Sequence, residues 1–122
     1  MRLENKVAFI SGGARGMGAA EAKIFAQEGA KVVIGDVLDE DGRKTEAAIN
    51  DLGGECLFVH LDVSSEENWT SAITETVSRF GKLDILVNNA GVVSRVELED
   101  ITVKEWDRVM DINAKGVFLG TK

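Results

Sequence analysis

The chain has 122 residues, of which 44% are hydrophobic and 29% are charged, and its formal net charge is −7. This length fits one domain, and the composition is ordinary for a globular protein, which excludes a disordered chain. The acidic charge disfavours binding to nucleic acid, because it repels the phosphate backbone. No apolar run reaches the roughly 18 residues of a membrane helix, and the first residues lack the apolar core of a signal peptide. We therefore expect one domain, residues 1–122, that is cytoplasmic and binds neither nucleic acid nor membrane.

Strand-like and helix-like segments alternate along the chain. Short apolar runs without polar alternation are typical of parallel strands buried on both faces. The predicted strands are Lys6–Ser11, Lys31–Asp36, Leu57–Leu61 and Leu83–Asn88. The predicted helices are Met17–Glu28, Leu38–Leu52 and Ser65–Phe80, followed by a fourth helix after Thr102 within which the chain ends.

This alternation predicts an α/β fold with a doubly wound parallel sheet, because consecutive βαβ units have right-handed crossovers. The expected strand order is 3-2-1-4, which is half of a Rossmann sheet. Ser64 and Glu67 have the spacing of a capping box at the start of the third helix, and Thr102 and Glu105 have it at the start of the fourth.

Three glycines, Gly12, Gly16 and Gly18, lie between the first predicted strand and the first predicted helix. A glycine turn at this point lets the backbone approach a pyrophosphate closely and directs a helix N-terminus towards its negative charge. Taken alone, the motif is also compatible with a glycine-rich turn that binds no ligand.

The second predicted strand ends in a carboxylate, Asp36, eighteen residues after Gly18. A carboxylate at this end of a strand can accept hydrogen bonds from both hydroxyls of an adenosine ribose. In isolation Asp36 could equally cap a helix or stabilise a turn. The glycine turn and the acid together, in the right order around one βαβ unit, favour a nucleotide site.

Four motifs in chain order resemble the fingerprints of the short-chain dehydrogenases/reductases, and the glycine segment is similar to that of the hydroxysteroid and polyol dehydrogenase branch. The motifs are Gly12-x-x-x-Gly16-x-Gly18, Leu61-Asp62-Val63, Asn88-Asn89-Ala90-Gly91 and Asp111-Ile112-Asn113. The resemblance covers the whole chain. It implies an oxidoreductase that transfers hydride between a nicotinamide cofactor and a secondary alcohol or ketone.

The resemblance also implies a set of cofactor-binding residues. It places Asp62 on the adenine amino group with the Val63 backbone beside it, and the Asn89–Gly91 segment along the adenosine ribose. Asn88 is expected to brace the sheet. The full set is Gly12, Arg15, Gly16, Met17, Gly18, Asp36, Val37, Asp62, Val63, Asn89, Ala90 and Gly91.

Charge distinguishes NAD from NADP. Asp36 would repel a 2′-phosphate, and Val37 supplies no positive charge to bind one. Arg15 argues the other way, because a basic residue before the second glycine occurs in phosphate-preferring members of the family. We give Asp36 more weight and expect NAD.

Of the family's catalytic residues, only the asparagine has a match, Asn113. It shares a helix face with Trp106, Met110 and Val117, where an unpaired amide would cost roughly 1–3 kcal/mol. The resemblance implies a local helix distortion there that holds a proton-relay water, and the alternative is a loop that satisfies the amide structurally. The family's Ser and Tyr-x-x-x-Lys would lie beyond Lys122.

The chain contains no tyrosine. General acid–base catalysis contributes roughly 10²–10⁴-fold to enzymatic rates, so we expect no turnover by this chain alone. The chain is therefore either the NAD-binding portion of a longer dehydrogenase or a half-domain that binds nucleotide without catalysis. A methyltransferase-like domain shares the glycine turn and the ribose-binding acid, but does not explain the Asn-Asn-Ala-Gly motif.

No metal site is expected. His60 is the only histidine and is predicted to pack within its strand, and Cys56 is the only cysteine, which excludes an internal disulfide. An acidic group near the second helix is explained by capping and solvation, because the helix dipole favours acids in a first turn. It comprises Asp36, Asp39, Glu40 and Asp41.

The fourth predicted strand is apolar, and no later segment of the chain is available to pair with its far edge. An exposed apolar edge strand favours pairing with another chain. We therefore expect self-association through this strand or through the exposed fourth helix.

Overall fold

The computed structural model describes residues 1–122 and contains one parallel sheet. Its strands are β1 (Val7–Ser11), β2 (Lys31–Asp36), β3 (Glu55–His60) and β4 (Ile85–Val87). Their order is β3-β2-β1-β4, and all neighbouring pairs are parallel. The predicted doubly wound sheet with strand order 3-2-1-4 is thus confirmed.

Helices cover both faces of this sheet. They are α1 (Gly16–Gln27), α2 (Asp39–Asp51), α3 (Glu66–Phe80), α4 (Val103–Met110) and α5 (Gly116–Thr121). On one face Ala22 of α1 and Ile49 of α2 pack against Ile10 and Ile34. On the other face Trp69 of α3 belongs to a second buried cluster, against which α5 also packs. The core therefore has two apolar layers separated by the sheet.

The fourth strand is shorter than predicted. The backbone N–H of Asn89 donates to the Ser11 hydroxyl at 3.1 Å, and the N–H of Ala90 donates to the same oxygen at 3.1 Å. These amides therefore turn away from strand pairing, and β4 ends at Val87. The third strand also differs from prediction, because it starts at Glu55 and ends at His60.

The capping box predicted at α3 is wrong by one residue. Ser65 is the N-cap, and its hydroxyl accepts from the backbone N–H of Asn68 at 3.1 Å. The hydroxyl of Ser64 instead donates to Asp62 at 2.6 Å. At α4 the cap at Thr102 is confirmed, since its hydroxyl accepts from the N–H of Glu105 at 3.1 Å.

His60 is not packed in the sheet as predicted. It is the last residue of β3, and its side chain is 54% exposed. Its Nδ1 lies 2.6 Å from a carboxylate oxygen of Asp39 in the first turn of α2. At the strand end the imidazole therefore joins the polar edge of the sheet.

The last helical segment is interrupted. A π-helical turn spans Asp111–Lys115 between α4 and α5. Two aromatic side chains of this segment are open to solvent, with Trp106 57% and Phe118 63% exposed. None of the helices combines the length and apolarity needed to span a bilayer.

Candidate nucleotide-binding site

A cavity of about 480 Å³ opens among the loops that follow the carboxyl ends of the strands. This is the position where open α/β sheets bind their ligands. The residues that line it are Gly12, Arg15, Gly16, Asp36, Val37, Leu38, Leu61, Asp62, Val63, Asn89, Ala90, Gly91, Val92 and Ile112. The structure thus brings together the predicted cofactor-binding residues except Met17 and Gly18, which do not line the cavity.

Two of the motif glycines are required by close packing. A Cβ on Gly18 would lie 2.2 Å from the Gly12 carbonyl oxygen and 2.7 Å from Nδ2 of Asn89. A Cβ on Gly12 would lie 2.9 Å from the Cα of Ala90, and Gly12 has a φ of +71°. Gly18 therefore acts from beneath the cavity, where it lets α1 approach the turn.

The N-terminus of α1 is open to an anion. Its N-cap is Arg15, which makes no side-chain capping bond, and the first turn carries no acidic residue. Gly16 has a φ of +62° at the point where the helix begins. Because the first N–H groups of a helix have no intrahelical acceptor, those of α1 can donate to a phosphate.

Asp36 is fixed at the end of β2 by two backbone donors. Its Oδ2 accepts from the N–H of Ala14 at 3.2 Å, and its Oδ1 accepts from the N–H of Leu38 at 3.1 Å. An ionised carboxylate has about four acceptor positions, so two remain for further donors. The acid therefore braces the glycine turn and still offers acceptors to the cavity.

Asp62 is held in its ionised form. One oxygen accepts from both the hydroxyl of Ser64, at 2.6 Å, and its backbone N–H, at 3.0 Å. These bonds, with smaller contributions from His60 and Lys115, hold the pKa of Asp62 below its usual value. The second carboxylate oxygen accepts no bond from the protein and can accept from an amino group in the cavity.

The Asn-Asn-Ala-Gly segment ties β4 to the glycine turn. The Nδ2 of Asn89 donates to the Gly12 carbonyl at 3.2 Å. Asn88 instead bonds to α5, since its Nδ2 donates to the Thr121 hydroxyl at 3.2 Å. Asn88 therefore connects the strand end with a helix.

Asn113 lies in the π-helical turn, so the helix distortion implied by the family resemblance is present. The expectation that this amide is buried among apolar side chains is wrong, because Asn113 is exposed. Its Oδ1 accepts from the Val92 N–H at 2.8 Å, and its Nδ2 donates to the Val92 carbonyl at 2.7 Å. The loop after β4 thus satisfies both ends of the side-chain amide, which was the alternative prediction.

Several contributors to the site were not predicted from the sequence. Leu38 and Val92 line the cavity, and Gly13 packs so tightly that a Cβ would lie 2.6 Å from Ile34. For Gly13, the sequence offered one signal, which is that it lies next to the motif residue Gly12. The structure brings no three His, Cys, Asp or Glu side chains close enough together to hold a metal ion.

The fold and the cavity together define an α/β domain with the architecture of a dinucleotide-binding protein. Residues 6–122 match the short chain dehydrogenase family. The chain belongs to this family, whose members bind a nicotinamide cofactor.

Two bacterial dehydrogenases are among the relatives of the chain. The chain is 48% identical over 121 residues to a 3-alpha-(or 20-beta)-hydroxysteroid dehydrogenase of Mycobacterium tuberculosis, covering 99% of the chain and 45% of the relative. It is 50% identical over 127 residues to a trans-4-hydroxycyclohexanecarboxylate dehydrogenase of Sinomonas cyclohexanicum, covering 99% of the chain and 49% of the relative. The chain therefore spans about half the length of these relatives.

Solved structures give the same picture. A mutant short-chain dehydrogenase/reductase of Serratia marcescens superposes with a TM-score of 0.93 at 36% identity, over 99% of this chain and 50% of the other. A 3-ketoacyl-(acyl-carrier-protein) reductase of Brucella melitensis, complexed with NADH, superposes with a TM-score of 0.92 at 41% identity, over 98% of this chain and 48% of the other.

Proposed function

We propose that the chain is the NAD-binding portion of a short-chain dehydrogenase/reductase that transfers hydride between NAD(H) and a secondary alcohol or ketone. The observation that carries the proposal is one continuous cavity bounded by an uncapped helix N-terminus at Gly16 and an anchored carboxylate at Asp36. A dinucleotide needs both features, one for its pyrophosphate and one for its adenosine ribose.

The cavity residues fit such a cofactor. The first N–H groups of α1 bind the pyrophosphate, which can approach because Gly12 and Gly18 carry no Cβ. Asp36 accepts from the ribose hydroxyls, and Asp62 accepts from the adenine amino group with the backbone of Val63 beside it. Within the family's scheme, Asn89, Ala90 and Gly91 extend along the adenosine ribose.

NAD is the proposed form of the cofactor. Two carboxylates, Asp36 and Asp62, and one cation, Arg15, line the cavity. Asp36 is the nearer acid to the proposed ribose and would repel a 2′-phosphate. Val37 beside it offers no positive charge.

The nicotinamide, when bound, supplies the hydride acceptor or donor at C4. Asn113 would hold a proton-relay water in the family's scheme, and here it orders the loop at Val92. The chain contains no tyrosine to act as the acid or base. We therefore propose no turnover by the 122 residues alone, and a role in catalysis only together with the family's Ser and Tyr-x-x-x-Lys.

A nucleotide-binding half-domain without catalysis is the second candidate. It is favoured by the engagement of both polar atoms of the Asn113 amide by Val92. The two candidates differ in whether the reading frame that encodes the chain continues into Ser and Tyr-x-x-x-Lys. Sequencing that frame separates them.

Calorimetric titration with NADH tests the proposed cofactor site. We expect saturable binding by the unmodified chain and loss of binding in Asp36→Ala. Asp51→Ala is the matched control, because it removes the same charge from the far end of α2 and should bind NADH normally. Failure of the folded, unmodified chain to bind NADH would overturn the proposal, as would full binding by Asp36→Ala.

Self-association and a cytoplasmic location are further proposals. The far edge of β4 is unpaired within the chain, and Trp106 and Phe118 are exposed on the last helical segment. Unpaired strand edges and exposed apolar side chains both favour association. Light scattering across a concentration series tests this self-association, and a constant monomer mass would contradict it.

The single, buried and unbridged Cys56 is compatible with a reducing compartment, as the proposed cytoplasmic location requires.

A further inference from the structure

One cation and several acids surround the end of the cavity where Asp36 lies. Arg15 is the only cationic side chain that lines the cavity, and its side chain is 73% exposed. The first turn of α2 follows directly on the cavity residues Val37 and Leu38 and carries three acids. They are Asp39, Glu40 and Asp41.

These acids have different partners. Asp39 lies 2.6 Å from Nδ1 of His60, and Glu40 lies 3.6 Å from Nζ of Lys44. Asp41 alone is directed at the cavity's cation, with its Oδ2 3.9 Å from Nη1 of Arg15. Asp41 therefore pairs with the one cationic side chain of the cavity, although Asp41 itself does not line the cavity.

We propose that Asp41 is a specificity-determining residue that disfavours dinucleotides carrying a 2′-phosphate by pairing with Arg15. The inference rests on the proposed NAD site. A 2′-phosphate beside Asp36 would have to recruit Arg15, and Arg15 would have to leave or share Asp41.

The alternative is that Asp41 acts only through the net charge of the protein. Glu40 distinguishes the two, because it occupies the same helical turn, carries the same charge and pairs with Lys44 rather than Arg15. The matched substitutions Asp41→Asn and Glu40→Gln each remove one charge and leave the size of the side chain nearly unchanged. A difference between them therefore reports the contact with Arg15.

The experiment is calorimetric titration of both variants and the unmodified chain with NADH and with NADPH. We expect Asp41→Asn to raise the affinity for NADPH relative to NADH by roughly three- to fivefold, which is about 0.6–1 kcal/mol and the range of an exposed ion pair. Glu40→Gln should change the ratio less than twofold. The double variant Arg15→Ala/Asp41→Asn should lose the gain.

Equal ratios in Asp41→Asn and Glu40→Gln would overturn the role of Asp41, and so would a gain that persists without Arg15. In both cases the unmodified chain still binds NADH, and the proposed function stands. If the unmodified chain binds neither dinucleotide, the proposed function fails and this inference fails with it.

Discussion

The substitution Gly18→Ala tests the packing beneath the cavity. An added Cβ would lie 2.2 Å from the Gly12 carbonyl oxygen, whereas an ordinary contact is about 3.4 Å or more, so α1 must move by about 1 Å relative to the turn. Overpacking of this kind costs about 1–3 kcal/mol, and alanine in a helix recovers up to about 1 kcal/mol. We expect the free energy of unfolding to fall by about 1–2 kcal/mol.

The same movement displaces the N–H groups proposed to bind the pyrophosphate. We therefore expect Gly18→Ala to weaken NADH binding by on the order of tenfold, since misplaced donors lose the geometry of their bonds. Urea unfolding followed by tryptophan fluorescence measures the stability, and calorimetric titration measures the affinity.

Gly53→Ala is the matched control. Gly53 has a φ of +89°, and a Cβ there would meet nothing within 4 Å. Its replacement strains the backbone by about 1–2 kcal/mol, at a site outside the cavity. It should therefore lower stability to a similar extent and leave NADH binding unchanged. A Gly18→Ala variant as stable as the unmodified chain, with unchanged affinity, would refute the packing argument.

Three further predictions concern single side chains. Asn113→Ala removes two bonds to the Val92 backbone and should speed hydrogen exchange at the Val92 amide, and unchanged exchange would contradict this. Burial raises the pKa of Cys56 from 9.0 to about 12, so the thiol should resist a disulfide reagent until the chain unfolds. The contribution of the buried, protonated thiol to the free energy of unfolding is present below pH 9 and is lost as pH rises from about 9 towards 12. Arg108 lowers the pKa of Glu105 from 4.5 to about 2. The contribution of this pair to the free energy of unfolding is therefore lost as pH falls from about 4.5 to 2. Glu105→Gln should make stability depend less on pH in that window, as measured by acid unfolding.

Much of the fold could be predicted from the sequence because short apolar runs and glycine stops recur in chain order. The sheet order followed from the handedness of βαβ units, and the cavity position followed from the glycine turn and Asp36. These signals are local in sequence, and the strands and the glycine turn that they predict are present in the structure.

The remaining features depend on which neighbouring groups are close in space. Adjacent serines at 64 and 65 offer the same cap, and in the structure Ser65 caps the helix while Ser64 bonds to Asp62. The exposure of His60 follows from its position at the strand end beside Asp39. The partner of Asn113 is Val92, twenty-one residues away. Val92 lies on a loop whose sequence has no pattern that predicts this contact.

The bond between the Asn89 amide and the Ser11 hydroxyl joins residues 78 positions apart. β1, β2 and β3 can pair through much shorter connections, whereas β4 must close the longest loop in the sheet. We therefore expect β4 to dock last during folding and to detach first during partial unfolding. Because the segment Asn89–Gly91 lies just after β4, the adenosine end of the cavity exists only once that docking is complete. A bound dinucleotide would therefore stabilise one of the least local contacts in the chain.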